Sequence, residues 1–174
     1  MPTFEFKDKT TKFHLLNALQ LAKASELAYL SKKDIEQRVL KKWKLDTCVF
    51  LERKNIQVFI AIDKLLMIIA FRGTESFDDW LTDLKTKFFN LAGGRRVHQG
   101  FNQGLDLIWV DVQHVLEKYY NNKRSLWLTG HSLGGALATL ATDRLLDDRR
   151  DYDISGLYTY GSPRVGDKDF REAF

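Results

Sequence analysis

The chain has 174 residues, 44% hydrophobic and 29% charged with only two prolines, a balance that fits one packed domain over residues 1–174 and excludes a disordered chain. Its net charge of +4 is uneven, because the first 54 residues hold 12 Lys/Arg against 7 Asp/Glu while the remainder is close to neutral. No apolar run is long enough to span a bilayer, and a single cysteine, Cys48, excludes an internal disulfide.

The first twenty residues carry Glu5, Lys7, Asp8, Lys9 and Lys12 with no apolar stretch of the signal-peptide kind behind them, so a cytoplasmic chain is expected. Phe13 to Leu30 has helical spacing, with Phe13, Leu16, Leu19, Lys23 and Leu27 as the predicted inner stripe. Ser31, with Asp34 three residues on, resembles a helix cap, and the helix after it should place Ile35, Val39 and Trp43 on one face. Lys32-Lys33 and Lys41-Lys42-Trp43-Lys44 hold much of the positive surplus. It reads as a solvated helix face, with attraction to an anionic lipid surface or to nucleic acid as the alternative. No nucleic-acid motif accompanies the charge, so a nucleic-acid partner is not expected.

Three strand-like runs follow, Thr47–Glu52, Ile56–Ile62 and Leu65–Phe71, separated by turns short enough for hairpins. Cys48 lies in the first and reads as a small core residue, not a reactive thiol. The period then becomes helical over Ser76–Leu84, with Phe77, Trp80 and Leu81 on one side, and Gly93-Gly94 marks a loop. Gln99 to Tyr120 reads as a long helix with Phe101, Leu105, Ile108, Val112, Val115 and Tyr119 inward. A strand from Ser125 to Thr129, a helix from Leu133 to Leu146 and a strand from Ile154 to Tyr160 make a βαβ unit, which implies a parallel sheet with helices on its faces.

Between that strand and helix stands G-x-S-x-G, as Gly130, Ser132 and Gly134. The bare pattern is common by chance, but a buried strand before it and a helix after it are what a nucleophile elbow needs. The serine then sits on a sharp turn with its hydroxyl exposed, and the glycines allow strand and helix to pass closely. A serine needs a base to take its proton and donors for the oxyanion. The backbone N–H of Leu133 is one expected donor. Phe71-Arg72-Gly73-Thr74, at the end of the most apolar strand, either supplies the second through Thr74 or is simply a strand end.

Several blocks then agree with one family. Phe71-Arg72-Gly73-Thr74-Glu75-Ser76 with Asp79-Trp80 and Thr82-Asp83-Leu84, Val97-His98-Gln99-Gly100-Phe101, the Gly130–Gly135 elbow and Tyr160-Gly161-Ser162-Pro163-Arg164-Val165-Gly166 resemble, in order, motifs of the class 3 (fungal-type) lipases of the α/β-hydrolase superfamily. The resemblance implies an α/β fold, an α/β-hydrolase-like sheet with helices on both faces, and hydrolysis of lipid carboxylic esters such as acylglycerols without metal or cofactor. It implies Ser132 as nucleophile, Thr74 and Leu133 as oxyanion hole, and a lid over 76–84 that presents Phe77, Trp80 and Leu81. An ordinary surface helix is the equal alternative for that segment. His98 and His131 fall in family motifs but outside the triad role, and His14 and His114 read as incidental.

The pattern then stops. The triad order is Ser, acid, His, yet no histidine follows Ser132, and none of Asp143, Asp147, Asp148, Asp151, Asp153, Asp167, Asp169 or Glu172 matches the family's acid. The expected fold is therefore C-terminally incomplete, with three accounts in order of preference: a piece of a longer lipase, a non-catalytic lipase-like protein binding a membrane surface or protein partner, and an enzyme rewired to use His98 as base. On the first account Ile154 to Tyr160 forms an apolar sheet edge through which copies can associate, and the chain by itself is inactive.

Overall fold

The three consecutive strand runs form an antiparallel meander, β1 (Thr47–Arg53), β2 (Ile56–Ile62) and β3 (Leu66–Phe71), with Ile60 opposite Val49 and Ile69. The computed structural model describes residues 4–8, 10, 12–74, 87–148, 150 and 152–174. Two further strands, β6 (Ser125–His131) and β7 (Ile154–Tyr160), add in parallel to β3, giving a five-stranded mixed sheet in the order β1-β2-β3-β6-β7. A hairpin of β4 (Phe88–Asn90) and β5 (Arg96–His98), turning through Ala92–Gly94, stands apart from the sheet. The helices are α1 (Leu15–Leu27), α2 (Lys32–Gln37) continued by a π-helical turn (Arg38–Lys42), α3 (Gln99–Tyr119), α4 (Leu133–Leu146) and the short α5 (Lys168–Ala173).

Alternation along the strands divides the core in two, because successive side chains of a strand point to opposite faces. Met67, Ile69 and Phe71 of β3 join Val58, Ile60, Leu126 and Leu128 under α3 and α4. Leu66, Ile68 and Ala70 join Phe59, Ala61 and Trp127 under α1 and α2. Helices thus cover both faces, as an α/β sheet with near-continuous apolar strands requires. The α3 stripe is the one its spacing predicts, with Phe101, Leu105, Ile108, Val112 and Val115 buried and Tyr119 half-buried. Ile35, Val39 and Trp43 are likewise buried together, the last brought round by the π-turn, in which the Trp43 N–H donates to the Arg38 carbonyl.

The expected stripe of α1 differs. Phe13 and Leu15 are each 75% exposed and Leu19 50%, whereas Asn17, Gln20, Leu21, Ala24, Ser25 and Leu27 face inward. Small and polar residues win this face because they find partners there. The Ser25 and Thr129 hydroxyls lie 2.8 Å apart, and Asn17 exchanges two hydrogen bonds of 2.9 Å with the backbone of Lys7. His14, expected to be incidental, caps α1 by accepting from the Leu16 N–H through Nδ1 at 3.2 Å.

Candidate active site

Strand β6 and helix α4 meet at Ser132, whose φ of 55° and ψ of −126° lie outside the regions that side-chain-bearing residues ordinarily adopt. Three neighbours hold the turn. The Ser132 N–H donates to the Tyr160 carbonyl of β7 at 2.9 Å, and its own carbonyl accepts from the Gly135 N–H at 2.9 Å. A Cβ on Gly130 would run into the backbone of Gly134 and lie 2.7 Å from the Gly135 nitrogen. A Cβ on Gly134 would overlap the Phe71 carbonyl oxygen at the end of β3 and approach Arg72 to 2.9 Å. Both positions are therefore closed to any side chain, and α4 runs directly over the exit of β3. The Ser132 side chain does not cap α4, and the Leu133 N–H lies in the first helical turn, where backbone N–H groups lack an intrahelical acceptor.

Phe71 pairs with Gly130 across the parallel β3–β6 ladder, so the loop Arg72-Gly73-Thr74 leaves the sheet beside the elbow. The Arg72 N–H donates to the Gln57 carbonyl at 3.0 Å and its guanidinium to Gln57 Oε1 at 2.6 Å, which fixes the loop's root to β2. Thr74 and Leu133 are thus supplied by adjacent sheet exits, where ligand sites of open α/β sheets form. Phe77, Trp80, Leu81 and the helix expected over 76–84 lie outside the described residues.

Tyr29, which no local motif marks, ties the two halves together. Its hydroxyl lies 2.8 Å from His131 Nδ1 and fills the space that a side chain on Gly73 would need. A cavity of about 510 Å³ opens there, lined by Ala22, Ser25, Glu26, Tyr29, Thr74, His131 and Tyr160. Ser132 itself is 7% exposed and is not on that lining; its neighbour His131 and the loop residue Thr74 are. Thr129 anchors the strand beneath, with Oγ1 2.8 Å from the Tyr158 carbonyl and 3.2 Å from that of Leu21. A second cavity, about 460 Å³, lies behind the turn after β7, between Thr139, Ser162–Gly166 and α5.

Motifs far apart in sequence converge beside the elbow. Val97 and Gly166 form an isolated antiparallel bridge, the His98 N–H donates to the Val165 carbonyl at 2.9 Å, and the Asp167 N–H donates to the Arg96 carbonyl at 2.9 Å. Among the described residues none of the four histidines is hydrogen-bonded to Ser132. His98 stacks on Phe88 with centroids 5.0 Å apart, and its Nδ1 is buried with no described partner. Burial, reinforced by the nearby Arg164, pulls its pKa below the ordinary histidine value. Four of the acids after Ser132 serve architecture: Asp143 and Asp147 hold Arg95 at 2.6 and 3.2 Å, Asp148 holds Arg150 at 2.8 Å, and Asp167 holds Arg96 at 2.9 Å. Cys48 is half-buried, and burial pushes its thiol up to about 12.

Comparison with known proteins gives the family and the fold. The profile of the family described as Lipase (class 3) matches residues 68–174. A triacylglycerol lipase of Arabidopsis thaliana is 29% identical over 199 residues, covering 84% of this chain and 38% of that protein. A secreted mono- and diacylglycerol lipase of Fusarium solani is 33% identical over 124 residues, covering 68% of this chain and 36% of that protein. The crystal structure of a lipase from Rhizopus microsporus var. chinensis superposes with a TM-score of 0.71 at 24% identity, over 99% of this chain and 67% of that one. The chain thus spans a little over a third of these curated relatives.

Proposed function

The chain belongs to the class 3 lipases, and from that premise we propose that it supplies the nucleophile of a serine hydrolase acting on carboxylic esters of lipids. Ser132 attacks the ester carbonyl, and the N–H groups of Thr74 and Leu133 receive the oxyanion. The observation that carries this reading is the backbone of Ser132: a non-glycine residue held at φ 55° between strand and helix, with the Thr74 loop leaving the adjacent strand. Strain of that kind persists only where the surroundings impose it, and it aims the hydroxyl out of the sheet. The substrate class is supported by relatives that are triacylglycerol, mono- and diacylglycerol lipases, and by the cavity beside His131, whose wall is mainly apolar.

Among the described residues no histidine is bonded to Ser132 to take the proton of the attacking hydroxyl, and the chain by itself is expected to turn over esters slowly. Positioned donors still contribute, since triad-deficient serine hydrolases keep about 10³–10⁴-fold over water. The test is hydrolysis of p-nitrophenyl butyrate and octanoate by the 174-residue chain and by Ser132→Ala, each with and without added imidazole. Imidazole should accelerate the native chain above its own background and leave Ser132→Ala unmoved. Equal rates for both proteins in imidazole would remove Ser132 as nucleophile. Fast hydrolysis without imidazole, lost on His98→Ala, would instead establish a base within these residues. A second reading, a non-catalytic lipase-like protein that binds a membrane surface or a protein, is favoured by the absence, among the described residues, of a histidine bonded to Ser132; it predicts no imidazole effect.

A further inference from the structure

On the α3–α4 side four arginines are paired, Arg53 with Asp111, Arg95 with Asp143, Arg144 with Asp106 and Arg150 with Glu117, while Lys118 and Lys123 stand as isolated cations among the described residues. On the other side α2 and its π-turn bury Ile35, Val39 and Trp43 and turn Lys32, Lys33, Arg38, Lys41, Lys42 and Lys44 outward. Of these six, only Lys32 has an acidic partner among the described residues, Glu36 at 3.8 Å. A merely solvated face gains nothing from leaving charges of one sign uncompensated, because they repel one another.

Apolar side chains stand among these cations. Leu15, Leu19 and Leu30 lie along the outer side of α1 and just beyond it, and Leu40 lies among the lysines of the π-turn; all four are exposed. The two helices make one continuous face, since α1 and α2 share a hydrophobic cluster and a groove of about 240 Å³ lined by Lys23, Glu26, Leu27, Leu30, Arg38 and Trp43. Unpaired cations interleaved with exposed leucines match an anionic lipid interface, with charges at headgroup depth and leucines among the acyl carbons. No described helix is long and apolar enough to cross a membrane.

We propose that the α1–α2 face is the docking surface on which the chain sits on an anionic phospholipid bilayer. The placement suits the chemistry, for the helix that presents Leu15 and Leu19 outward also lines the cavity at Thr74 and His131 through Ala22 and Glu26, and the turn after it does so through Tyr29. A bilayer on this face lies at the rim of that cavity. The inference rests on the lipase reading only in preferring lipid to other polyanions, and binding is measurable with hydrolysis switched off.

The experiment is co-sedimentation of the 174-residue chain, carrying Ser132→Ala, with vesicles of phosphatidylcholine alone or with phosphatidylglycerol added. Binding should need the anionic lipid and weaken as salt rises. Lys41→Glu with Lys42→Glu should lower the partition coefficient at least about tenfold, and Leu15→Ser with Leu19→Ser several-fold. Lys118→Glu with Lys123→Glu, an equal charge change on and just beyond α3, should leave it within about twofold. Far-UV circular dichroism checks that each variant is folded. The proposal is overturned by absence of binding to either vesicle, by equal loss in the Lys118/Lys123 control, or by binding to RNA that outcompetes the vesicles. It is overturned equally if the leucine substitutions change only self-association in size-exclusion chromatography. Failure of the ester-hydrolysis test would leave these outcomes unaffected.

Discussion

Ser132 concentrates the local cost of the fold. A side-chain-bearing residue at φ 55° and ψ −126° is held there at about 1–3 kcal/mol. Glycine adopts that conformation without the clash but gives up about 0.5–1 kcal/mol through the freedom it adds to the unfolded chain. Ser132→Gly should therefore stabilise the protein by about 1 kcal/mol, a rise of roughly 2–4 °C in Tm for a chain of this length, read by thermal denaturation. A Tm that falls would mean the elbow carries no strain. The elbow was legible because G-x-S-x-G is a local pattern whose geometry follows from three residues and their flanks. Tyr29 was not, since its hydroxyl meets His131 across a sequence separation of 102 and no neighbour in sequence signals it.

At the scale of elements the same contrast between local and distant information holds. Strands β2 and β3, α3 and α4 stand where their periodicity places them, because each buries a face wide enough to be written in apolar residues, and β1 and β7, whose apolar residues are half-buried against the core, stand there too. Helix α1 was misread at Phe13, Leu16 and Leu19 because Asn17, Gln20 and Ser25 share the inner face with Leu21, Ala24 and Leu27, held there by fit to Thr129 and by hydrogen bonds. The consequence is measurable: Leu21→Ala, at a fully buried position, should cost about 2–5 kcal/mol in urea denaturation. Leu19→Ala, on the exposed side, should stay within about 0.5 kcal/mol. Equal costs would restore the stripe read from spacing. The close crossing of α4 over β3 makes a second prediction. Gly134→Ala places a methyl against the Phe71 carbonyl, so α4 must shift or the Thr74 loop must move. Overpacking of that kind costs about 1–3 kcal/mol, and imidazole-assisted hydrolysis should fall with it, beyond what the lost folded fraction explains.

Over the whole molecule, hydrogen-bonded carboxylates, one local and one joining distant segments, set the acid limit of the fold. Hydrogen bonds from Arg150 hold Asp148 down to about 2, and the Phe170 N–H with Arg96 holds Asp167 down to about 2. Each folded value lies below the unfolded value of about 3.9, so each contribution is complete above that value and is lost as pH falls from about 4 through about 2. Asp143 opposes them, since burial raises its pKa despite Arg95. The urea midpoint should therefore decline between pH 4 and pH 2, and Asp167→Asn should flatten that decline; an unchanged slope would remove the Asp167 clasp from the account. The clasp joins the β4–β5 hairpin to the turn after β7, bringing together two motifs that the sequence shows only as separate blocks.

The account turns on Ser132 as the nucleophile, and covalent capture asks this most directly. The chain would be incubated with an alkyl fluorophosphonate in the presence of imidazole, and its peptides would be mapped by mass spectrometry. The serine oxygen displaces fluoride at phosphorus while imidazole takes the proton, leaving a stable ester on the side chain. One adduct on the peptide holding Ser132, formed faster with imidazole and missing from Ser132→Ala, is the predicted result. Modification spread over other serines such as Ser125 or Ser162, or no adduct at all, would contradict it.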